Sequence, residues 1–225
     1  MALRWHLFGD SHTLSIDHPD MVRHEYRAGS AMGMNNPQSV SQYHSRFIKE
    51  RNDVPEKEPI VLKFGQVDAD FVYYMKLAKQ SDLRFDEFAK DSVSKYTHFI
   101  KHYVLPRKVT VLSIYPPFVS EQHHRYSLCN LNTFTDRKFF LEFRSALLRM
   151  KIPSLKERVE YNTCYNHYLR RMCAELNIPF IDVFTPLMDT VTSLPKYINP
   201  NYDHHLCEEE GKRLVSEVVS RSLSL

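Results

Sequence analysis

Five short apolar runs, each followed by a stretch with helical spacing, set what this 225-residue chain can become. The runs fall at residues 3–8, 22–27, 59–64, 109–114 and 180–184. Ile60-Val61-Leu62 and Val109-Thr110-Val111-Leu112 are apolar almost throughout, as strands are when both sheet faces are covered. Parallel neighbours can be joined only by a long crossover, so strands that alternate with helices imply a parallel sheet. The expectation is one α/β domain over 1–225, a three-layer α/β/α sandwich around a five-stranded parallel sheet.

The intervening stretches carry the helices. Asn36-Pro37 offers a cap followed by proline at the first helical position, and Val40, Tyr43, His44, Phe47 and Ile48 then share one face. Asp82 is the expected cap of a longer helix that carries Phe85, Phe88, Val93, Tyr96, Phe99 and Tyr103 and stops at Pro106. Residues 137–149 read as helical. Ser154 and Glu157 form a capping box for the next helix. In the last helix, Leu214, Val215, Val218 and Val219 face the core. The polar stretch between Pro117 and residue 136 holds His123, His124, Arg125, Asn130 and Asn132. It reads as a long loop, which in a domain is usually a functional lid or disordered.

Bulk properties exclude several classes. With 43% hydrophobic and 25% charged residues the chain is not disordered. A net charge of +3 without any run of Lys and Arg argues against nucleic acid as a partner. No stretch approaches the ~20 apolar residues of a membrane helix. Arg4, His6 and Asp10 interrupt any apolar leader. Cys129, Cys164, Cys173 and Cys207 contain no CxxC pair and read as free thiols of a reducing compartment. A cytoplasmic protein without cofactor or metal is expected. Its oligomeric state is not legible.

Chemistry concentrates at strand ends. Leu7-Phe8-Gly9-Asp10-Ser11-His12 runs from a strand into a polar turn, so Ser11 reaches the carboxyl rim of the sheet, where open α/β sheets hold their sites. Gly29 and Gly33 follow the second run, and Gly65-Gln66-Val67-Asp68 follows the third. Asp203-His204-His205-Leu206 precedes the last helix. A serine becomes a nucleophile when a base takes its proton and a third group orients the base, and His205 with Asp203 can fill those roles. Taken alone, Ser11 serves as well as a helix cap. His6, inside a strand, reads as a packed core histidine, His123-His124-Arg125 as a solvated or substrate-facing stretch, and Asp70 as a helix cap.

Together these blocks resemble the SGNH, or GDSL-type, hydrolases. The Gly9-Asp10-Ser11 turn matches that family's nucleophile block. The glycines after the second strand, Gly65-x-x-Asp68 and the Asp-His pair follow in the family's order. There are two departures. Val67 stands where the family has an asparagine that donates to the oxyanion. The Asp203-His205 spacing is one residue shorter than Asp-x-x-His, with Tyr202 at the matching position. The resemblance implies a flavodoxin-like sheet of strand order 2-1-3-4-5 and a divergent esterase or acyltransferase for a small O-acyl ester, such as O-acetyl on a sugar. It implies Ser11 as nucleophile, His205 as base and Asp203 as orienting acid, with His204 the other candidate base. Ser11 N–H, the Gly29 and Gly33 backbone, Gly65, Gln66 and Asp10 would form the oxyanion and substrate site. Two other classes stay open. Asp10-x-His12 with Asp68, Asp203 and His205 could form the metal cluster of a phosphoesterase. A non-catalytic module that binds glycan or protein would explain Val67.

Overall fold

The computed structural model describes residues 4–130, 137–201 and 203–223. Leu7 and Phe8 are adjacent on the first strand and point into different cores, because side chains alternate across a strand. Phe8 packs with Ile60, Leu62, Val111, Phe99 and Leu169. Leu7 packs with Val61, Leu112, Ile181, Val215 and Val219. The same alternation repeats on every central strand, so both faces of the sheet are buried.

The strands are β1 (Trp5–Gly9), β2 (Met21–Glu25), β3 (Ile60–Lys63), β4 (Val109–Leu112) and β5 (Phe180–Ile181). Their order is β2-β1-β3-β4-β5, and every pairing is parallel. This is the order implied by the family resemblance. Gly9 lies opposite Glu25 on one side and Lys63 on the other, so the ends of three strands meet where Ser11 begins. β5 is shorter than the apolar run 180–184. The Asp182 carboxylate accepts the N–H groups of Phe184 and Thr185 and turns the chain out of the sheet.

The helices are α1 (Ala31–Met34), α2 (Tyr43–Asp53), α3 (Tyr73–Leu77), α4 (Phe85–Tyr103), α5 (Glu121–Cys129), α6 (Arg137–Arg149), α7 (Leu155–Leu176) and α8 (Glu209–Leu223). The larger core holds the apolar faces of α2, α4 and α7, and the smaller one that of α8. Val215 and Val219 of α8 are fully buried, with Leu214 and Val218 packed beside them. The Ser154–Glu157 capping box is formed in full at the start of α7.

Three expectations are corrected. The helix expected after Asn36-Pro37 starts only at Tyr43. Residues 36–42 instead wind through turns closed by Ser39 N–H on Asn36 O and Gln42 N–H on Ser39 O, and Val40 is exposed. The long helix begins at Phe85 rather than at Asp82, with Asp86 and Glu87 in its first turn, where acidic residues favour the helix dipole. The expected loop before residue 136 contains α5, capped by Ser120, whose Oγ accepts the N–H of His123. Within it, His124 is buried against Tyr74, and Arg125 donates to the carbonyls of Leu147 and Met150. His124 is thus a packed residue rather than a solvated one, and Arg125 is tied to the end of α6. Asn132 lies outside the described residues. Among the described residues no helix is long and apolar enough to cross a membrane. The four cysteines carry free thiols.

Candidate active site

The Gly9-Asp10-Ser11 turn begins where β1 ends. A Cβ on Gly9 would sit 2.3 Å from the Lys63 carbonyl oxygen and 2.5 Å from Thr13 Cγ2. Only glycine lets the turn lie this close to β3. Asp10 N–H still donates to Lys63 O at 3.2 Å. Its carboxylate then caps the following 3-10 turn, Ser11–Ser15, by accepting His12 N–H at 2.9 Å. Ser11 is thus the first residue of a helical turn at the carboxyl end of a central strand. Its N–H has no carbonyl one turn back to meet, as at any helix start.

The loop before α8 brings the partner residues. His205 Nε2 lies 2.7 Å from Ser11 Oγ, and His205 Nδ1 lies 2.5 Å from Asp203 Oδ1. The same carboxylate oxygen accepts the His205 backbone N–H at 3.1 Å. This is an Asx turn, in which a short acidic side chain bonds the backbone two residues on. It explains how two residues of separation serve in place of three. The hydrogen bond from His205 holds the Asp203 carboxyl far below its ordinary range, so it is ionised. An ionised carboxylate only accepts, so Nδ1 carries the imidazole proton and Nε2 is left to accept the Ser11 hydroxyl proton.

His204 does not reach Ser11 in the same way. Its Nδ1 is 4.0 Å from Asp203, and its ring packs against Phe71 with centroids 4.6 Å apart. The loop is anchored by a residue that the sequence did not single out. Buried Asn199 donates from Nδ2 to the His205 carbonyl at 3.2 Å and from its N–H to Phe118 O at 2.7 Å. Leu206 is buried in the smaller core.

The expected oxyanion groups are placed differently. Gly29 N–H is taken by Tyr26 O at 2.8 Å and Gly33 N–H by Ser30 Oγ at 3.0 Å. Gln66 is buried. Its Nε2 donates to Asp70 at 2.9 Å and its Oε1 accepts Tyr115 N–H at 2.7 Å. It ties the end of β3 to the end of β4 and is not free to replace the missing amide. Asp70, expected to cap a helix, is the buried acceptor of that tie. Gly65 has a left-handed φ of 113°, and a Cβ there would lie 2.6 Å from Tyr165, so its part is to turn the chain. Asp10 faces inward and contacts no open space. Burial alone would raise its pKa, but His12 and Lys63 outweigh burial and hold it down. Of the donors expected, Ser11 N–H stands at the start of a helical turn, where it has no acceptor within the turn.

Two buried residues underlie this arrangement. Asp68 accepts the N–H groups of Ala31 (2.5 Å) and Met32 (3.2 Å) and the hydroxyl of Ser92 (2.7 Å). It fastens the glycine loop after β2 to the turn after β3. Burial pushes its pKa up to about 6. Lys63 is fully buried, with Nζ 4.3 Å above the Tyr115 ring, and burial lowers its pKa. It supplies the positive charge beneath Asp10. The sequence marked Lys63 only as part of a strand.

Above Ser11, His205 and Asp203 lies a cleft of about 480 Å³, lined by these three with His12, Leu14, Glu25, Arg27, Cys207 and Lys212, and by Ser15 and Leu206. The phosphoesterase cluster of Asp10, His12, Asp68, Asp203 and His205 does not assemble as a set, since the Asp68 carboxylate is taken by Ala31 N–H, Met32 N–H and Ser92, and that of Asp10 by His12. Among the described residues the group with metal-ligand spacing is His12, His204 and His205.

No model of a protein family matches the chain, and no curated protein matches it either. Solved structures do. A GDSL-like lipase from Bacteroides thetaiotaomicron aligns over 98% of this chain and 87% of its own, with 14% identity and TM-score 0.52. A mutant of an acetyl-xylooligosaccharide esterase from Geobacillus Stearmophilus aligns over 100% of this chain and 95% of its own, with 10% identity and TM-score 0.57. With the strand order found here, these likenesses establish that the chain has the SGNH, or GDSL-type, hydrolase fold in a divergent form.

Proposed function

We propose that this protein is a serine esterase for small O-acyl esters, with O-acetyl groups on a sugar or polysaccharide as the substrate class. The carrying observation is the relay Ser11 Oγ–His205 Nε2 and His205 Nδ1–Asp203 Oδ1 at 2.7 and 2.5 Å. Ser11 Oγ attacks the ester carbonyl as its proton passes to His205 Nε2. The imidazolium is stabilised by Asp203 and then protonates the departing alcohol. Water, activated by the same imidazole, attacks the acyl-serine and releases the acid. An acceptor hydroxyl in place of water makes the protein an acyltransferase through the same intermediate.

Three features support the ester and acetyl class. The cleft is small and carries both apolar and charged side chains, Leu14 beside Glu25, Arg27 and Lys212, which suits a short acyl group on a polar alcohol. One structural neighbour is an acetyl-xylooligosaccharide esterase. Ser11 N–H lies beside the nucleophile, where a tetrahedral oxyanion forms. With Val67 in place of the amide donor, turnover should be slow, since one lost donor costs about 3–4 kcal/mol. Acetate release from aryl acetates and acetylated oligosaccharides, with and without free sugar acceptors, tests the proposal. Ester turnover that disappears in Ser11→Ala supports it, and a folded protein that turns over no ester overturns it.

A further inference from the structure

His12 is the most unusual group near the site. It is only 2% exposed, and its Nδ1 lies 2.9 Å from Asp10 Oδ1. Its other nitrogen, Nε2, is buried and has no hydrogen-bond partner among the described residues. A buried polar atom without a partner is costly and calls for an explanation. The His12 ring lies 5.1 Å from that of His204 and 4.7 Å from that of His205, centroid to centroid. One donor atom from each of the three lies within 4.8 Å of the others.

We propose that His12, His204 and His205 form a binding site for a divalent transition-metal ion of the zinc class, and that filling it silences Ser11. Two of the three rings are backed as metal-binding histidines usually are, with a carboxylate on the nitrogen that faces away from the ion. Asp10 holds Nδ1 of His12, and Asp203 holds Nδ1 of His205. Each therefore presents an Nε2 lone pair. Imidazole donors favour zinc, cobalt, nickel or copper over magnesium and calcium. Zinc–nitrogen bonds of about 2.1 Å in tetrahedral geometry require the donors to close to about 3.4 Å. Partly exposed His204 and His205 lie in the loop before α8, where small rotations can supply that movement. The fourth position would be left to water.

The consequence follows from one lone pair. His205 Nε2 accepts the Ser11 hydroxyl in the metal-free site. When that lone pair bonds to the metal, the hydrogen bond breaks, the proton stays on Ser11 and no base remains. Silencing thus rests on the esterase reading of the site, whereas metal binding does not.

Calorimetric titration with Zn2+ and the visible ligand-field spectrum of added Co2+ read binding without any substrate. One ion per chain is expected, with His204→Gln and His12→Gln each weakening binding by about tenfold or more. His204 lies in a partly exposed loop, so its variant decides the matter if the buried His12 variant fails to fold. Zn2+ should also suppress aryl acetate turnover over the concentration range in which it binds, and a chelator should restore it. Mg2+ should do neither. The proposal is overturned if Zn2+ does not bind, binds equally well to H204Q, or binds while turnover continues unchanged. A protein that binds Zn2+ through these residues but turns over no ester overturns the esterase reading and the silencing, and leaves the metal site standing.

Discussion

Ser11 Oγ and His205 Nε2 lie 2.7 Å apart although 194 positions separate them in the chain. The parallel sheet brings them together. β1 delivers Ser11 to its carboxyl rim, and the chain returns to that rim after β5 through the loop before α8. A relay closed in this way acts as a unit. Ser11→Ala and His205→Ala should each lower kcat for an aryl acetate by about 10⁴-fold or more, and the double variant should lose little beyond either alone. Steady-state kinetics of the three variants check this. Additive losses would show that the two side chains do not share one step.

Asp203→Asn should be severe. The asparagine oxygen can keep the Asx turn to His205 N–H. It cannot fix the imidazole tautomer, because its NH2 group donates where the carboxylate accepted. A loss of about 10³–10⁴ in kcat, with little change in KM, is expected. A loss below about tenfold would mean that the backbone orients His205 and Asp203 does not.

The strands, and the placing of Ser11 and of Asp203 and His205 at the same rim, were legible in the sequence, whereas the order 2-1-3-4-5 came from the family resemblance. The placing depends on strand ends, and apolar runs such as Ile60-Val61-Leu62 mark strand ends well. The oxyanion groups were not legible. Gly29, Gly33 and Gln66 stand in the expected blocks, yet their polar groups are consumed by Tyr26, Ser30, Asp70 and Tyr115. Tyr26, Ser30 and Asp70 lie within four residues of the groups they engage, in turns and a helix start whose geometry the pattern leaves open, and Tyr115 lies 49 residues away at the end of another strand. Lys63 was read as an ordinary strand residue, because burial of a charge beneath Asp10 emerges only when the β1 and β3 ends meet. Asn199 left no periodic signal, since its role is to hold a loop. Helix starts were misplaced at Pro37, where the Asn36 side chain closes a turn on Gln38 N–H, and at Asp82, which lies in a turn closed by Leu83 N–H on Gln80 O.

Asp68 makes stability depend on pH in an identifiable direction. Burial raises its folded pKa from 3.8 to about 6. The folded state therefore binds the proton more tightly than the unfolded chain, and the resulting stability is fully present below the unfolded pKa and lost as pH rises through about 6. A shift of about two pH units corresponds to about 3 kcal/mol at most. Denaturant unfolding of the wild type and Asp68→Asn between about pH 4 and 7 isolates the contribution, because the variant lacks the titrating group. The wild type should lose stability relative to the variant as pH rises across that window. A difference that stays constant with pH would contradict the assignment.

Gly65→Ala tests the turn after β3. Its φ of 113° is disfavoured for any L side chain, and the new methyl would lie 2.6 Å from Tyr165 and 3.1 Å from Ile114. Backbone strain and overpacking each cost about 1–3 kcal/mol, so a total loss of about 2 kcal/mol or more is expected in chemical denaturation. An unchanged midpoint would show that the turn has room to relax.

The most direct test of the central claim is intact-protein mass spectrometry after treatment with a serine-directed organophosphonate, followed by peptide mapping. The account predicts one adduct per chain, located on Ser11, absent in Ser11→Ala and formed far more slowly in Asp203→Asn. A folded protein that takes up no phosphonate, or takes it up at another residue, would contradict it.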